Sequence, residues 1–417
     1  MRLTSFATAM AVGTALAISA AAGQERPPGA TVEELLVLLP SSSPELARSA
    51  AERQGAAAKA DAAGALPDPT FRFTADEIDR TGGGRQDRFL YTLEQEFPLW
   101  GKRDLRTRAA VAELGAARAR ESGVNAELAS KLKIAFAEFY LAHRSRGITV
   151  ERLEAARALA ALAVARYSQG IGTTADALRA ETERAQMQAE LHKLDADART
   201  ARARLNGVLG RPADAPLAEP AWLPEIPAED RLTLAALRPR LLQDNPGVQA
   251  ALAERDAAEH GRRLAEREWY PDVSIMVTGI DRRDNGPPGF MAGLGVRIPL
   301  QVDAKRATIR EASARLNAAA ARRAAAERTG EADLEEAIAG LAGARAIGLV
   351  ARDSLVPQAE AAYQAAVLAY QQRRTADITA VLDAHHRVRE ARLELLRAEV
   401  DQRRQLARIE RLIGGSP

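Results

Sequence analysis

The chain repeats itself once, and this constrains its fold more than any other feature. The stretch PELARSAAERQGAAAKADAAGALPDPTFRF, beginning at Pro44, aligns with PGVQAALAERDAAEHGRRLAEREWYPDVSIM, beginning at Pro246. Pro69 then falls on Pro271, Phe71 on Val273 and Phe73 on Ile275. Farther along, Pro98-Leu99 meets Pro299-Leu300, Lys102-Arg103 meets Lys305-Arg306, and Tyr167 meets Tyr370. Features that recur in the same order over most of a chain mark a duplication, so one half must resemble the other in structure.

Each half reads as the same series of parts. The first repeat is expected over 23–211 and the second over 246–417, with a Pro-rich linker at 212–245. A helix (44–64; 246–268) ends at a proline, and a strand follows (70–77; 272–280). A polar Gly-rich loop then leads to a second strand (88–97; 290–298). Next comes a long tract free of strong breakers, expected as a helix over 101–168 and over 303–371. A turn sends the chain back along return helices at 175–206 and 376–413. At 1.5 Å per residue the first long helix would reach roughly 100 Å. Pro357, inside the second, is expected to kink it.

Composition agrees with long thin helices. Hydrophobic residues make up 47 %, much of it alanine, and aromatics only 4 %. Such a chain suits closely approaching helices better than a thick globular core. The charge balance, 58 basic against 56 acidic residues, gives a net +2 with signs interleaved, which is no electrostatic footprint for nucleic acid.

Residues 1–22 read as a secretory signal: Arg2, an uncharged run from Phe6 to Ile18, then Ala20-Ala21-Ala22. With no cysteine in the chain, disulfides, thiolate metal sites and cysteine lipidation are excluded. Beyond the signal no apolar stretch reaches the roughly 18 residues of a membrane helix. A membrane crossing would therefore be made by strands.

In DRFLYTLEQEF, Phe89, Tyr91, Leu93 and Phe97 share one face, while Arg88, Thr92, Glu94 and Glu96 share the other. A half-buried strand of a water-soluble sheet has the same pattern. Context favours the membrane, because four strands neither close a barrel nor bury a core beside helices this long. They would have to combine with strands of other copies. The helices call for the same remedy: Leu153, Ala156, Ala160, Ala163, Val164 and Tyr167 form a small-residue stripe suited to close lateral packing in a ring.

The duplicated strand–strand–long-helix plan, the QEFPLWGKR turn at 95–103 and the Tyr-bearing tips ARYSQGIGTTAD and LAYQQRRTADITAVLDA resemble the TolC-type outer-membrane efflux proteins. The GKR version is most similar to the branch serving heavy-metal and related resistance-nodulation-division pumps. The resemblance covers about 31–413. It implies a mainly α fold with a small β membrane part: a homotrimer with a 12-stranded β-barrel in outer-membrane lipid and a hollow α-barrel across the periplasm of a Gram-negative bacterium. It also implies a periplasmic adaptor and an inner-membrane pump as partners, with passive transport and no cofactor or enzymatic activity in this chain.

Site residues follow from the same resemblance. Pro98, Gly101 and Pro299 would turn strand into helix, and Gly170, Gly172 and Thr375 would lie in adaptor-contacting tips. Asp383 matches an aspartate of the periplasmic aperture, while Ala380 stands where a second is common. Asp176 matches an acidic tip residue that pairs with a base across the turn. Arg373 and Arg374 are near, although Ala376 is the positional match. The competing reading is that these charges only solvate helix ends. The N-terminus lacks the cysteine of lipid-anchored relatives, so insertion by the barrel alone is expected.

Other chemistries find little support. His143, His192, His260, His385 and His386 include no i, i+3 or i, i+4 pair, so they read as solvated helix positions and no metal site is expected. Gly82-Gly83-Gly84 lacks the lysine and helix of a phosphate loop. Two alternatives stay open: a periplasmic helical scaffold or adaptor, or a duct serving drugs or type I protein secretion.

Overall fold

The computed structural model describes residues 27–76, 88–282, 287–372 and 377–417. The signal read at 1–22, the last residue of the strand read at 70–77, Gly82-Gly83-Gly84, and the tip residues Arg373, Arg374 and Thr375 lie outside them. The first half comprises α1 (Val32–Ser42), α2 (Pro44–Ala62), β1 (Thr70–Asp76), β2 (Arg88–Phe97), α3 (Lys102–Ser168) and α4 (Thr174–Val208). The second comprises a 3-10 turn (Glu229–Leu232), α5 (Leu234–Asp244), α6 (Pro246–Arg267), β3 (Asp272–Arg282), β4 (Gly289–Arg297), α7 (Val302–Val350), α8 (Val356–Gln372) and α9 (Ile378–Leu412).

The strands form one antiparallel sheet in the order β1-β2-β3-β4. Its register, Phe73 opposite Tyr91, Leu93 opposite Val277 and Ile275 opposite Leu294, gathers the aromatics and most of the branched apolar residues onto one face, while Leu90, Met276, Ile280 and Met291 lie on the other. Phe71, Phe73, Tyr91, Leu93, Ile275, Val277, Phe290, Leu294 and Val296 are exposed there, Phe290 to 84 %. The opposite face carries Arg72, Thr74, Thr92, Glu94, Ser274 and Thr278, with Thr92 and Thr278 hydroxyls 2.9 Å apart. Alternation at period two has thus largely sorted apolar from polar.

The helices depart from expectation in three places. The second long tract runs in unbroken helical structure from Val302 to Gln372, but not as a uniform α-helix. It is α7, a π-helical turn (Ala351–Leu355) and α8, which carries Pro357 as its second residue. A proline has no N–H to donate and its ring crowds the preceding turn; the wider π turn relieves both. Secondly, α1 and α5 fill stretches in which sequence reading placed no helix, α5 lying inside the segment read as linker. They are counterparts: Thr31 caps α1 and Thr233 caps α5, each hydroxyl accepting from a backbone N–H. Leu35 and Leu39 of α1 pack with Leu132, Phe136 and Leu205. Leu237 and Leu241 of α5 pack with Leu334, Ile409 and Ile413 in the same manner. Thirdly, the last return helix starts at Ile378, with Asp377 as its cap.

Strand passes to helix through Pro98, Leu99, Trp100 and Gly101. Trp100 (φ 61°) and Gly101 (φ 75°) both take left-handed backbone, a conformation natural for glycine and costly for tryptophan. The turn is held by partners from the other half: Trp100 Nε1 donates to the Pro271 carbonyl at 2.8 Å, and the Trp100 ring lies 5.3 Å from that of Tyr270. Lys102 Nζ donates to the Tyr270 carbonyl at 2.8 Å and to Asp272 Oδ1 at 2.7 Å. The neighbouring Arg103 donates twice to the Gly64 carbonyl. At the counterpart junction after Pro299, Lys305 pairs with Glu268 at 2.9 Å.

Candidate functional site

The ends of the helices remote from the sheet bring two hairpins together, α3–α4 from the first half and α8–α9 from the second. Apolar packing joins them through Leu159, Ala160, Ala163 and Ala180 against Tyr370, Ile378 and Val381. Alanines at three- and four-residue spacing let the helices approach closely, as the stripe through Ala156, Ala160 and Ala163 leads one to expect.

The α3–α4 turn contains Gly170 and Gly172. Gly170 (φ 71°) closes α3, and the N–H groups of Ile171 and Gly172 both donate to the Arg166 carbonyl at 3.0 Å. A Cβ on Gly172 would sit 3.3 Å from the Arg166 Cβ and the Tyr167 N, so the turn is tight. Thr173 then begins α4 with a reciprocal cap: its hydroxyl accepts from Asp176 N–H at 3.1 Å, and the Asp176 carboxylate accepts from Thr173 N–H at 3.2 Å. Asp176 is therefore engaged within its own turn. Its suggested partners Arg373 and Arg374 are outside the described residues.

Among the described residues, polar ties join the hairpins at several levels. Nearest the tip, Arg179 of α4 donates to the Thr379 hydroxyl at 3.0 Å and lies 3.6 Å from Asp377, the cap of α9. Asp377 accepts from Thr379 N–H and Oγ1, both at 2.9 Å. Those bonds, with the Arg179 charge, hold its carboxyl below the usual value against a small opposing effect of burial. Next, buried Arg166 of α3 reaches α8, where its guanidinium donates to the Tyr370 carbonyl and lies 4.5 Å over the Tyr370 ring. Burial, with the nearby Asp176 charge, pushes the Tyr370 phenol up, so it stays neutral.

A further tie was not foreseen. His385 and His386 do not both stand in solvent: His385 is fully buried, and His386 is partly exposed. Adjacent helix positions differ by about 100°, which turns one ring into the packing and leaves the other at its edge. Both face Glu183 of α4, itself buried, with His385 Nδ1 at 3.3 Å and His386 Nε2 at 2.9 Å. Above them Arg392 of α9 joins Glu151 of α3 and Glu360 of α8, at 2.7 and 2.6 Å. Asp383 is exposed on α9, on a different face from His385. Nothing local in the sequence marks Arg166, Arg179 or Glu183, because their partners lie some 200 residues away.

An exposed apolar sheet with two open edges, continued by paired helical hairpins, defines a membrane channel subunit of the barrel-and-tunnel class. The sequence profile of the family described as "Outer membrane efflux protein" matches twice, over 35–211 and 237–415. The chain belongs to that family, and it is an outer-membrane efflux channel of a Gram-negative bacterium that extends into the periplasm. It is 27 % identical to the nickel-cobalt-cadmium resistance protein NccC of Alcaligenes xylosoxydans xylosoxydans over 76 % of this chain and 71 % of the relative. It is 25 % identical to the cobalt-zinc-cadmium resistance protein CzcC of Cupriavidus metallidurans, over 92 % and 90 %. The outer-membrane channel OprN has the same fold, with a TM-score of 0.80 and 22 % identity over 92 % of this chain and 90 % of that one. Among the described residues no helix is long and apolar enough to cross a membrane.

Proposed function

We propose that three copies of this chain form the outer-membrane duct of a tripartite exporter whose cargo is divalent transition-metal cations. The carrying observation is the sheet. It has one largely apolar face, one more polar face and, among the described residues, unpaired edges at β1 and β4, so that the apolar face would point outward in a barrel. Lipid does not tolerate unpaired strand edges, so β4 of one copy would pair with β1 of the next. Three four-stranded sheets then give a 12-stranded barrel. The long hairpins of three copies would close a tunnel beneath it, each burying the small-residue faces that one copy leaves uncovered. Trp100 and Tyr270, at the strand–helix junction, would sit at the membrane–water boundary.

In this reading the chain supplies a path and no energy; an inner-membrane pump loads it through a periplasmic adaptor docked at the tips around Gly170, Gly172 and Thr375. Closure would be held by the ties between the hairpins, with Asp383 at the aperture. Asp176 would act by fixing its turn and, across the tip, through Arg373 or Arg374. The metal cargo is supported by the names of NccC and CzcC.

Light scattering on the detergent-solubilised outer-membrane protein should give a mass of three chains. Restoring nickel, cobalt or cadmium tolerance to a strain lacking its own duct, with the matching pump and adaptor present, tests the cargo. A water-soluble monomer would overturn the duct, and restored drug tolerance without metal tolerance would overturn the cargo.

A further inference from the structure

The Glu183–His385 contact has a proton requirement that its geometry sets. His385 Nε2 lies 3.0 Å from the Arg152 carbonyl of α3, an acceptor only, so that nitrogen must carry hydrogen. Its other nitrogen, Nδ1, faces Glu183 Oε1, and the second oxygen, Oε2, faces His386 Nε2. A neutral ring protonated on Nε2 would turn a lone pair toward a buried carboxylate. Both contacts are attractive together only when His385 carries two protons, or when Glu183 carries one.

Other charged groups around the cluster do not replace that proton. From α3, the Arg152 guanidinium is drawn over the Tyr363 ring at 5.8 Å and pairs with Glu151 at 2.8 Å. From α8, the Tyr363 ring lies tilted 5.8 Å from the His385 ring, its phenol pushed up by burial against the opposing Arg152 charge, and Glu360 is taken by Arg392. From α4, Glu190 faces Arg389 of α9 at 3.9 Å. Burial pushes the Glu183 carboxyl up, but the adjacent His385 ring and the charges of His386, His385 and Arg389 outweigh it and leave it below the usual value; Nδ1 and Oε1 approach to 3.3 Å without hydrogen-bond geometry.

We propose that Glu183, His385 and His386 form a proton-operated latch between the two hairpins, so that periplasmic pH sets how readily the tunnel end opens. The site lies on the eighth residue of α9, roughly 10 Å inside the tip, and joins α4 of one half to α9 of the other, with the Arg152 carbonyl of α3 as backstop. Below the Glu183 value the carboxylate is lost and the latch weakens. Above it, and while the imidazole keeps its second proton, the latch is closed. When that proton leaves, Nδ1 and Glu183 repel within a buried site.

The inference that pH gates conduction rests on the duct reading, and the test separates the two. Glu183→Gln is the informative variant, since its amide can donate to a neutral His385 Nδ1 while its oxygen accepts from His386. This preserves every contact without the proton. Hydrogen exchange in α4 and α9, compared between wild type and variant at each pH, reads the latch; single-channel recording in planar bilayers reads the duct. In the wild type, protection should fall and open probability rise, by about tenfold, as pH is raised from mildly acidic to mildly alkaline. In E183Q both should stay flat. His385→Asn, which keeps a donor toward Glu183 but cannot be charged, should be flat as well and stands in if E183Q does not fold. Identical pH profiles in wild type and variants would remove the latch. Latch behaviour in exchange without conductance at any pH would instead remove the duct.

Discussion

Lys102, at the first residue of the first long helix, and Asp272, at the first residue of the third strand, meet at 2.7 Å with the lysine almost wholly buried. The pair fastens one half of the chain to the other at the level where the barrel gives way to the tunnel. It also accounts for the lysine after the QEFPLWG turn.

Lys102→Met should destabilise the junction strongly, since it leaves Asp272 without its cation and the Tyr270 carbonyl without a donor. Breaking a buried pair by removing one partner costs about 3–5 kcal/mol. The double variant Lys102→Met/Asp272→Leu should recover most of that loss, because apolar replacement of both partners is near neutral. Heat-resistant migration of the oligomer in mild detergent gels follows both; equal damage in the single and double variants would mean that the charge pair is not the cause.

Leu294 on β4 is 69 % exposed on the apolar face of the sheet. If that face meets lipid, Leu294→Arg should cost about 2–4 kcal/mol near mid-membrane and lower recovery from the outer-membrane fraction. Thr74→Arg, on the polar face of β1, should insert normally. Equal insertion of both variants would reverse the orientation assigned to the sheet.

Arg166→Gln removes a charge-assisted bond to the Tyr370 carbonyl and the guanidinium over its ring. These interactions are together worth about 2–3 kcal/mol. Tip helices should exchange faster, and single-channel open probability should increase, while the strands keep their protection. A variant as tightly closed as wild type would show that this tie has no share in closure.

Acid should loosen the outermost tie. The Asp377 carboxyl lies below its ordinary value when folded, so its contribution is complete above the unfolded value and disappears as pH falls through the folded one. Protection at the start of α9 should decline on acidification in wild type. Asp377→Asn, which can still cap Thr379 N–H, should show a smaller decline. The same dependence in both would assign the acid effect elsewhere.

Much of the architecture was written in the sequence in local terms. Period-two alternation in Arg88–Phe97 set its two faces, glycines and prolines marked the turns, and the unbroken Ala/Arg tract after Gly101 could only be a long helix. The duplication then applied each reading twice. It also contained what was overlooked: Thr31, Val32, Leu35 and Leu39 correspond to Thr233, Leu234, Leu237 and Leu241, a capped leucine pattern masked by Pro40 and Pro239. The π turn before Pro357 was not legible, because a proline announces strain but not how the helix relieves it.

The hairpin ties were decided by tertiary structure alone. Whether a histidine is solvated depends on what the neighbouring helix places opposite it, and Glu183 lies about 200 residues from His385. A helical period of 3.6 residues says which side chains share a face but not which face another helix will cover. Lys102, His385 and Arg166 therefore read as ordinary polar positions in one dimension. Only packing, by removing water from around them, made their partners obligatory.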